Sequence, residues 1–231
     1  GKTNMEIYVP ARSRLSNQKL PDSLGRSILA FGEKAMRFIG YLDFGVVGAS
    51  ALGGPVFELL ARDKVNSIFL CDFDAIEETN LNRLPGTTTM DIGKPKVDFY
   101  SKNINAISPA IEVEAFQRSF YDTKVQTAFS QADVIFGCVD SGARLSINRL
   151  ALANLIPYFD LGAMVEIQNG KFKFIGGQVY NVVPRRQVLK AEYRNLLAIT
   201  RNLRVLTEDQ LFLNPLQVPE WMTPRENIIF F

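Results

Sequence analysis

Between Leu42 and Ala163 short apolar runs alternate with stretches of helical period, the pattern of a doubly wound parallel sheet. Leu42 to Gly48, Asn66 to Asp72, Ile111 to Phe116, Asp133 to Val139 and Pro157 to Ala163 read as strands, the fourth apolar enough to be buried on both faces. Ala51 to Arg62, Lys94 to Ile107 and Thr123 to Ser130 read as helices, the second opening on Gly-Lys-Pro with proline near its first turn. Ile147, Leu150, Ala151 and Leu155 fall at the spacing of one more helix. From Met164 the period shortens to two around Asn169-Gly170, a hairpin signal, so an antiparallel pair ending near Val183-Pro184 extends the sheet. Beyond it Arg185 to Arg204 is basic and reads as partly helical, and Pro215, Pro219 and Pro224 break the tail into extended pieces.

Composition narrows the function more than the fold. The 231 residues suit one α/β domain with appendages, and 47% hydrophobic against 22% charged is the balance of a folded chain. A net charge of +2 gives little electrostatic drive toward a polyanion, so composition lends nucleic-acid binding no support. No apolar run reaches the about eighteen residues needed to span a bilayer, and Gly1 to Leu15 has no signal-peptide core, so a cytoplasmic protein is expected. Two cysteines, Cys71 and Cys138, exclude a disulfide framework and any four-cysteine zinc site. The absence of histidine removes serine-histidine and cysteine-histidine nucleophiles and the usual neutral-pH acid or base. What remains is chemistry run by carboxylates, lysine, arginine and backbone amides, which suits phosphoryl or nucleotidyl transfer.

Gly48-Ala-Ser-Ala-Leu-Gly53-Gly54 lies where the first strand turns into the first helix, the place at which a tight turn offers backbone amides to phosphate; Ser50 replaces the middle glycine of the dinucleotide fingerprint. At the end of the second strand Asp72 and Asp74 are placed for the ribose side of a nucleotide. Then follow Glu77-Glu78-Thr79-Asn80-Leu81-Asn82-Arg83, Gly93-Lys94-Pro95-Lys96, and Gly137-Cys138-Val139-Asp140.

This ordered series resembles the ThiF/MoeB/HesA superfamily of adenylating enzymes, related to ubiquitin-activating enzymes, over about Arg26 to Ala163. The resemblance implies a Rossmann-like fold and adenylation of a C-terminal carboxylate of a ubiquitin-like protein or peptide, with ATP and Mg²⁺. It implies Arg83 and Lys96 as phosphate cations, Asn80 as a phosphate-contacting amide, Asp72 as ribose ligand with Asp74 beside it, and Asp140 as the magnesium carboxylate. Arg26, in Arg-Ser-Ile-Leu, matches an arginine that reaches the partner subunit's ATP, which implies a homodimer. Residues 1–40 are then a helical or interface segment, 41–184 the ATP-binding adenylation domain, and 185–231 a crossover or tail. Electrostatics gives the same assignment a rationale, since attack of an anion on the α-phosphate needs negative charge neutralised on both sides of phosphorus.

Two family features are missing from the sequence: paired C-x-x-C zinc ligands, and a cysteine in the crossover for a thioester. Cys71 and Cys138 fall in predicted core strands and read as buried hydrophobes. The abrupt step to Arg185-Arg186 and the apolar end Ile228 to Phe231 are what a longer native chain would explain. Two other functions remain open at this point. A nicotinamide-dependent oxidoreductase would need a proton relay that no histidine and no Tyr-x-x-x-Lys supplies. A degenerate scaffold would be expected to have lost the charges that Asp72, Arg83, Lys96 and Asp140 retain.

Overall fold

A computed structural model of the chain describes residues 19–139, 142–168, 171–183 and 228–230. Two short helices, α1 (Gly25–Phe31) and α2 (Glu33–Ile39), precede the sheet. The strands are β1 (Asp43–Val47), β2 (Ser67–Cys71), β3 (Glu112–Phe116), β4 (Val134–Gly137), β5 (Tyr158–Gln168), β6 (Lys171–Val182) and β7 (Ile228–Phe230). Between them run α3 (Gly53–Arg62), α4 (Lys96–Ile107), α5 (Thr123–Phe129) and α6 (Ala143–Ala153). The strand order β3-β2-β1-β4-β5-β6 reverses direction between β1 and β4, which makes that point the switch at which such sheets bind ligands.

Side-chain alternation in β1 divides the core. Phe44 and Val46 face one layer with Phe57 and Leu60 of α3 and Tyr100 and Ile104 of α4. Val47 faces the other with Phe129 of α5 and Ile147 of α6. Gly45 belongs to that second face because a Cβ there would stand 2.7 Å from the Phe129 ring. Burial of a side chain such as Phe57, 1% exposed, contributes about 2 kcal/mol and is the main force holding the helices on the sheet.

Three expectations change. β4 is shorter than the apolar run suggests and is fully buried only at alternate positions, Ile135 and Gly137. Leu155 lies beyond α6, 58% exposed and with φ of +58°, so it shares no helical face with Ile147. The change of period at Met164 is not a chain break but a change of partner within one strand. Tyr158 to Asp160 of β5 pair parallel with β4, while the whole of β5 pairs antiparallel with β6, with a register shift between Glu166 and Ile167. Past the end of β4 the vacated side of β5 is taken by β7, Met164 opposite Phe230 and Glu166 opposite Ile228, so the apolar tail end is a strand. The basic stretch from Arg185 and the three tail prolines lie outside the described residues.

Candidate active site

The turn after β1 is built by close approach. Gly48 has φ of +99°, a conformation L side chains rarely adopt, and a Cβ on it would collide with the Cys138 carbonyl oxygen. Gly53, which opens the ten-residue α3, passes the Gly48 carbonyl so tightly that a side chain there would overlap it. Ser50, where the fingerprint would have glycine, spends its hydroxyl on the Cys138 carbonyl at 3.2 Å. The departure from the glycine pattern therefore stitches the turn to the end of β4 rather than blocking it.

Asp72 follows β2 and holds two loops together. Its Oδ2 accepts the Ala49 amide at 2.7 Å and its Oδ1 the Asp74 amide at 2.8 Å. Burial raises its pKa, and these amides and the charge of Lys96 offset part of that rise. Lys96, 7% exposed at the first turn of α4, donates to Asp74 Oδ2 at 2.8 Å. Pro95 caps this helix rather than entering it. Asn80 is buried in a 3₁₀ turn, its Oδ1 accepting the Glu77 amide in a capping box. Arg83 is exposed and bonds the Thr79 carbonyl at 2.6 Å, which leaves most of its guanidinium donors unspent.

These residues meet in one open cleft of about 660 Å³ at the carboxyl ends of β1, β2 and β4. The volume is in the range of ordinary ligand sites. Of the predicted site residues, Gly48, Asp72, Asp74, Asn80, Arg83 and Lys96 line it. Gly53 supports the turn from behind. Asp140 lies outside the described residues, while Val139 and Gly142 on either side of it are cleft walls. Arg26 is exposed on α1 and is not among the cleft residues; its neighbour Ser27 donates to Asp63 at the far end of α3, about 15 Å of helix away from the glycine turn.

Sequence reasoning missed one whole wall. Arg118, Ser119, Phe120 and Tyr121, after β3, close the cleft beside Phe73. It also missed a brace behind the opposite wall. Arg144 in the first turn of α6 donates to the Val139 carbonyl at 2.8 Å, to Asp160 Oδ2 at 2.7 Å and to the Leu161 carbonyl at 3.2 Å. An aspartate inside the apolar run Pro157 to Ala163 was the available signal, because a carboxylate on a buried strand needs a cation. Cys71 and Cys138 form part of the cleft floor, and burial pushes both thiols up to about 12, so neither is a nucleophile at neutral pH.

A glycine turn, a helix N-terminus and buried or rim cations gathered at the switch point of a doubly wound sheet define a Rossmann-type domain with its cleft in the usual ligand position. The chain belongs to the ThiF family, whose model matches residues 24–198. It is 30% identical over 120 residues to the sulfur carrier protein ThiS adenylyltransferase of Escherichia coli, covering 52% of this chain and 48% of that one. The chain thus spans about half the length of that relative. A tRNA threonylcarbamoyladenosine dehydratase of Bacillus subtilis is 24% identical over 188 residues, 80% of this chain and 74% of the relative. Among solved structures, that of Escherichia coli tRNA N6-threonylcarbamoyladenosine dehydratase, TcdA, superposes with a TM-score of 0.57 at 24% identity, covering 60% and 59% of the two chains. That of Escherichia coli MccB with ATP does so with 0.57 at 19% identity, covering 80% and 57%. At these identities the structures share the fold.

Proposed function

We propose that the protein binds ATP with Mg²⁺ and adenylates a carboxylate, the C-terminal one of a ubiquitin-like protein or peptide. The observation that carries the reading is the meeting of Gly48, Asp72, Asn80, Arg83 and Lys96 in one cleft at the switch point. The relatives support the same reading, among them a sulfur carrier protein ThiS adenylyltransferase and MccB, whose fold is known with ATP.

The donor set fits such a ligand. Lys96 and Arg83 are cations with unspent donors, and Asn80 and the turn at Gly48 border them. Among the described residues no group of three or more His, Cys, Asp or Glu side chains is placed to hold a metal ion. A single carboxylate from Asp140 is what a magnesium ion shared with phosphates requires. When bound, that ion adds positive charge to the phosphate chain. The substrate carboxylate oxygen bonds to the α-phosphorus while the bond to the β-phosphate oxygen breaks, and pyrophosphate leaves. No proton is transferred, so a chain without histidine is adequate. Lys96 and Arg83 stabilise the charge that develops on the phosphates, and Asp72 orients the ribose. Arg26, remote from its own cleft, is assigned to the neighbouring subunit's cleft in a homodimer.

The test is carboxylate-dependent exchange of pyrophosphate into ATP. Asp140→Ala should lower it by about 10² to 10³, and Arg26→Ala mixed with Asp140→Ala should recover part through hybrid sites. Full exchange by Asp140→Ala would remove Asp140 from the reading. The Bacillus subtilis relative, which covers most of this chain, supports a second reading in which the carboxylate is carried on tRNA. Exchange supported by a carboxyl-bearing tRNA and not by a small protein would select it. Among the described residues no helix is long and apolar enough to cross a membrane.

A further inference from the structure

Lysine is rarely buried unless it is paired, and Lys96 is held by one neighbour. Besides the 2.8 Å ion pair, the Lys96 amide donates to the Asp74 carbonyl at 3.1 Å, and Ala75 forms a β-bridge with Pro95. The lysine side chain is 9% exposed and that of Asp74 47%. An ammonium has three donors. Asp74 takes one, and among the described residues no other side chain lies within hydrogen-bond distance of it. Two donors are left over, and Lys96 lines the cleft. Asp74 in turn is oriented by Asp72, which also grips Ala49 of the glycine turn. Ala49, Asp72, Asp74 and Lys96 therefore form one continuous set of contacts from the turn to the cation.

We propose that Asp74 is the positioning residue of Lys96 rather than a nucleotide ligand, and that the Asp72-Asp74 pair sets the separation of glycine turn and ammonium for a polyphosphate chain. The inference rests on the nucleotide reading above. The physical reason is that a long, flexible side chain ending in a buried ammonium takes its place from the carboxylate it is paired with. Asp74 holds the Lys96 ammonium from the protein side by the 2.8 Å ion pair and leaves its other donors for the ligand.

The experiment has an arm without nucleotide. In the full chain, competitive acetylation of Lys96 at pH 8, read by mass spectrometry, should be about fivefold faster in Asp74→Asn, where no carboxylate holds the amine in place, than in wild type, and near wild type in Asp74→Glu, which restores the ion pair. Calorimetry should show Asp74→Asn weakening ATP about tenfold while adenosine binding is unchanged, and no further loss when Asp74→Asn is added to Lys96→Ala. Unchanged acetylation of Lys96 overturns the proposal. So does a tenfold loss of ATP affinity that persists in the Lys96→Ala background, because Asp74 would then touch the nucleotide, and so does tighter ATP binding by Asp74→Asn, because Asp74 would then compete with phosphate. An acetylation difference with no ATP binding by wild type supports the positioning of Lys96 and overturns the nucleotide reading alone.

Discussion

Two carboxylate-cation pairs flank the switch point, and they are built for different ends. On the β4–β5 side, Arg144 and Asp160 have side chains 16% and 12% exposed, and the guanidinium is spent on a carboxylate and two carbonyls. On the β2–α4 side, Lys96 gives one hydrogen bond to a half-exposed carboxylate and keeps two donors. Saturation distinguishes a brace from a site. A planar fork that satisfies three acceptors fixes the backbone around it, whereas a compact ammonium with spare donors is ready for an anion.

Breaking the brace should have the largest effect on stability. Arg144→Met leaves Asp160 buried without its cation, with the Tyr158 hydroxyl as the remaining side-chain group against its carboxylate among the described residues. The expected loss is about 3 to 5 kcal/mol in urea denaturation. Adding Asp160→Leu should recover much of it, because two apolar groups leave no buried charge. A loss below about 1 kcal/mol for Arg144→Met would mean the pair is no brace.

The cleft pair should respond in the opposite sense. Lys96→Ala should cost less than about 1 kcal/mol of stability, since Asp74 can turn to water, yet lower pyrophosphate exchange by about 10² to 10³. Substantial unfolding with exchange intact in the surviving protein would reverse the two assignments.

The contrast also explains how much of the molecule is legible in its sequence. The central strands β1 and β2 were legible because strands buried on both faces need continuous apolar runs, and the turn at Gly48 because it needs glycine, both local demands. Asp72, Asn80, Arg83 and Lys96 were picked out through the family resemblance, and they line one cleft because the strand ends of a doubly wound sheet and the loops that follow them converge. Arg144 and Asp160 were not found, since a pair sixteen positions apart across a helix and a strand leaves no periodic trace. The same limit hid the continuity of β5: period reports how many faces of a strand are covered, and β5 changes neighbours without ending. Arg118 to Tyr121 were missed because loop residues that line a wall by proximity have no fixed pattern.

The two floor thiols sharpen the comparison at smaller cost. Both thiols are pushed up to about 12 by burial first, with nearby carboxylates adding to the rise, so iodoacetamide at pH 8 should modify neither appreciably in the folded protein. Cys138 is adjacent to Val139, whose carbonyl Arg144 holds, while Cys71 is adjacent to Asp72 and donates to the Arg118 carbonyl. In Arg144→Met, Cys138 should therefore become reactive well before Cys71, read as a difference in alkylation rate by peptide mass. Equal rates would show that the protein opens as one unit rather than at the brace.

The smallest effect expected is the pH dependence contributed by a third pair, Asp91 with Lys94 at 2.7 Å, which lies on the surface. Asp91 is lowered to about 2, first by the Lys94 hydrogen bond and then by those from Thr88. A folded pKa below the unfolded one means that its contribution is present above the ordinary carboxylate value of about 4 and is lost as pH falls toward 2. Asp160 has the opposite sign. Burial raises it despite Arg144, so the folded state holds its proton more readily, and its ionisation reduces stability as pH rises from the ordinary value through the raised one. Asp91→Asn should flatten the decline in Tm between about pH 4 and 2. Asp160→Asn should remove the opposing slope, so that the decline on acidification becomes steeper, besides weakening the brace at every pH. Parallel Tm profiles for wild type and Asp91→Asn would show that this surface pair contributes nothing, leaving buried pairs alone to separate site from scaffold.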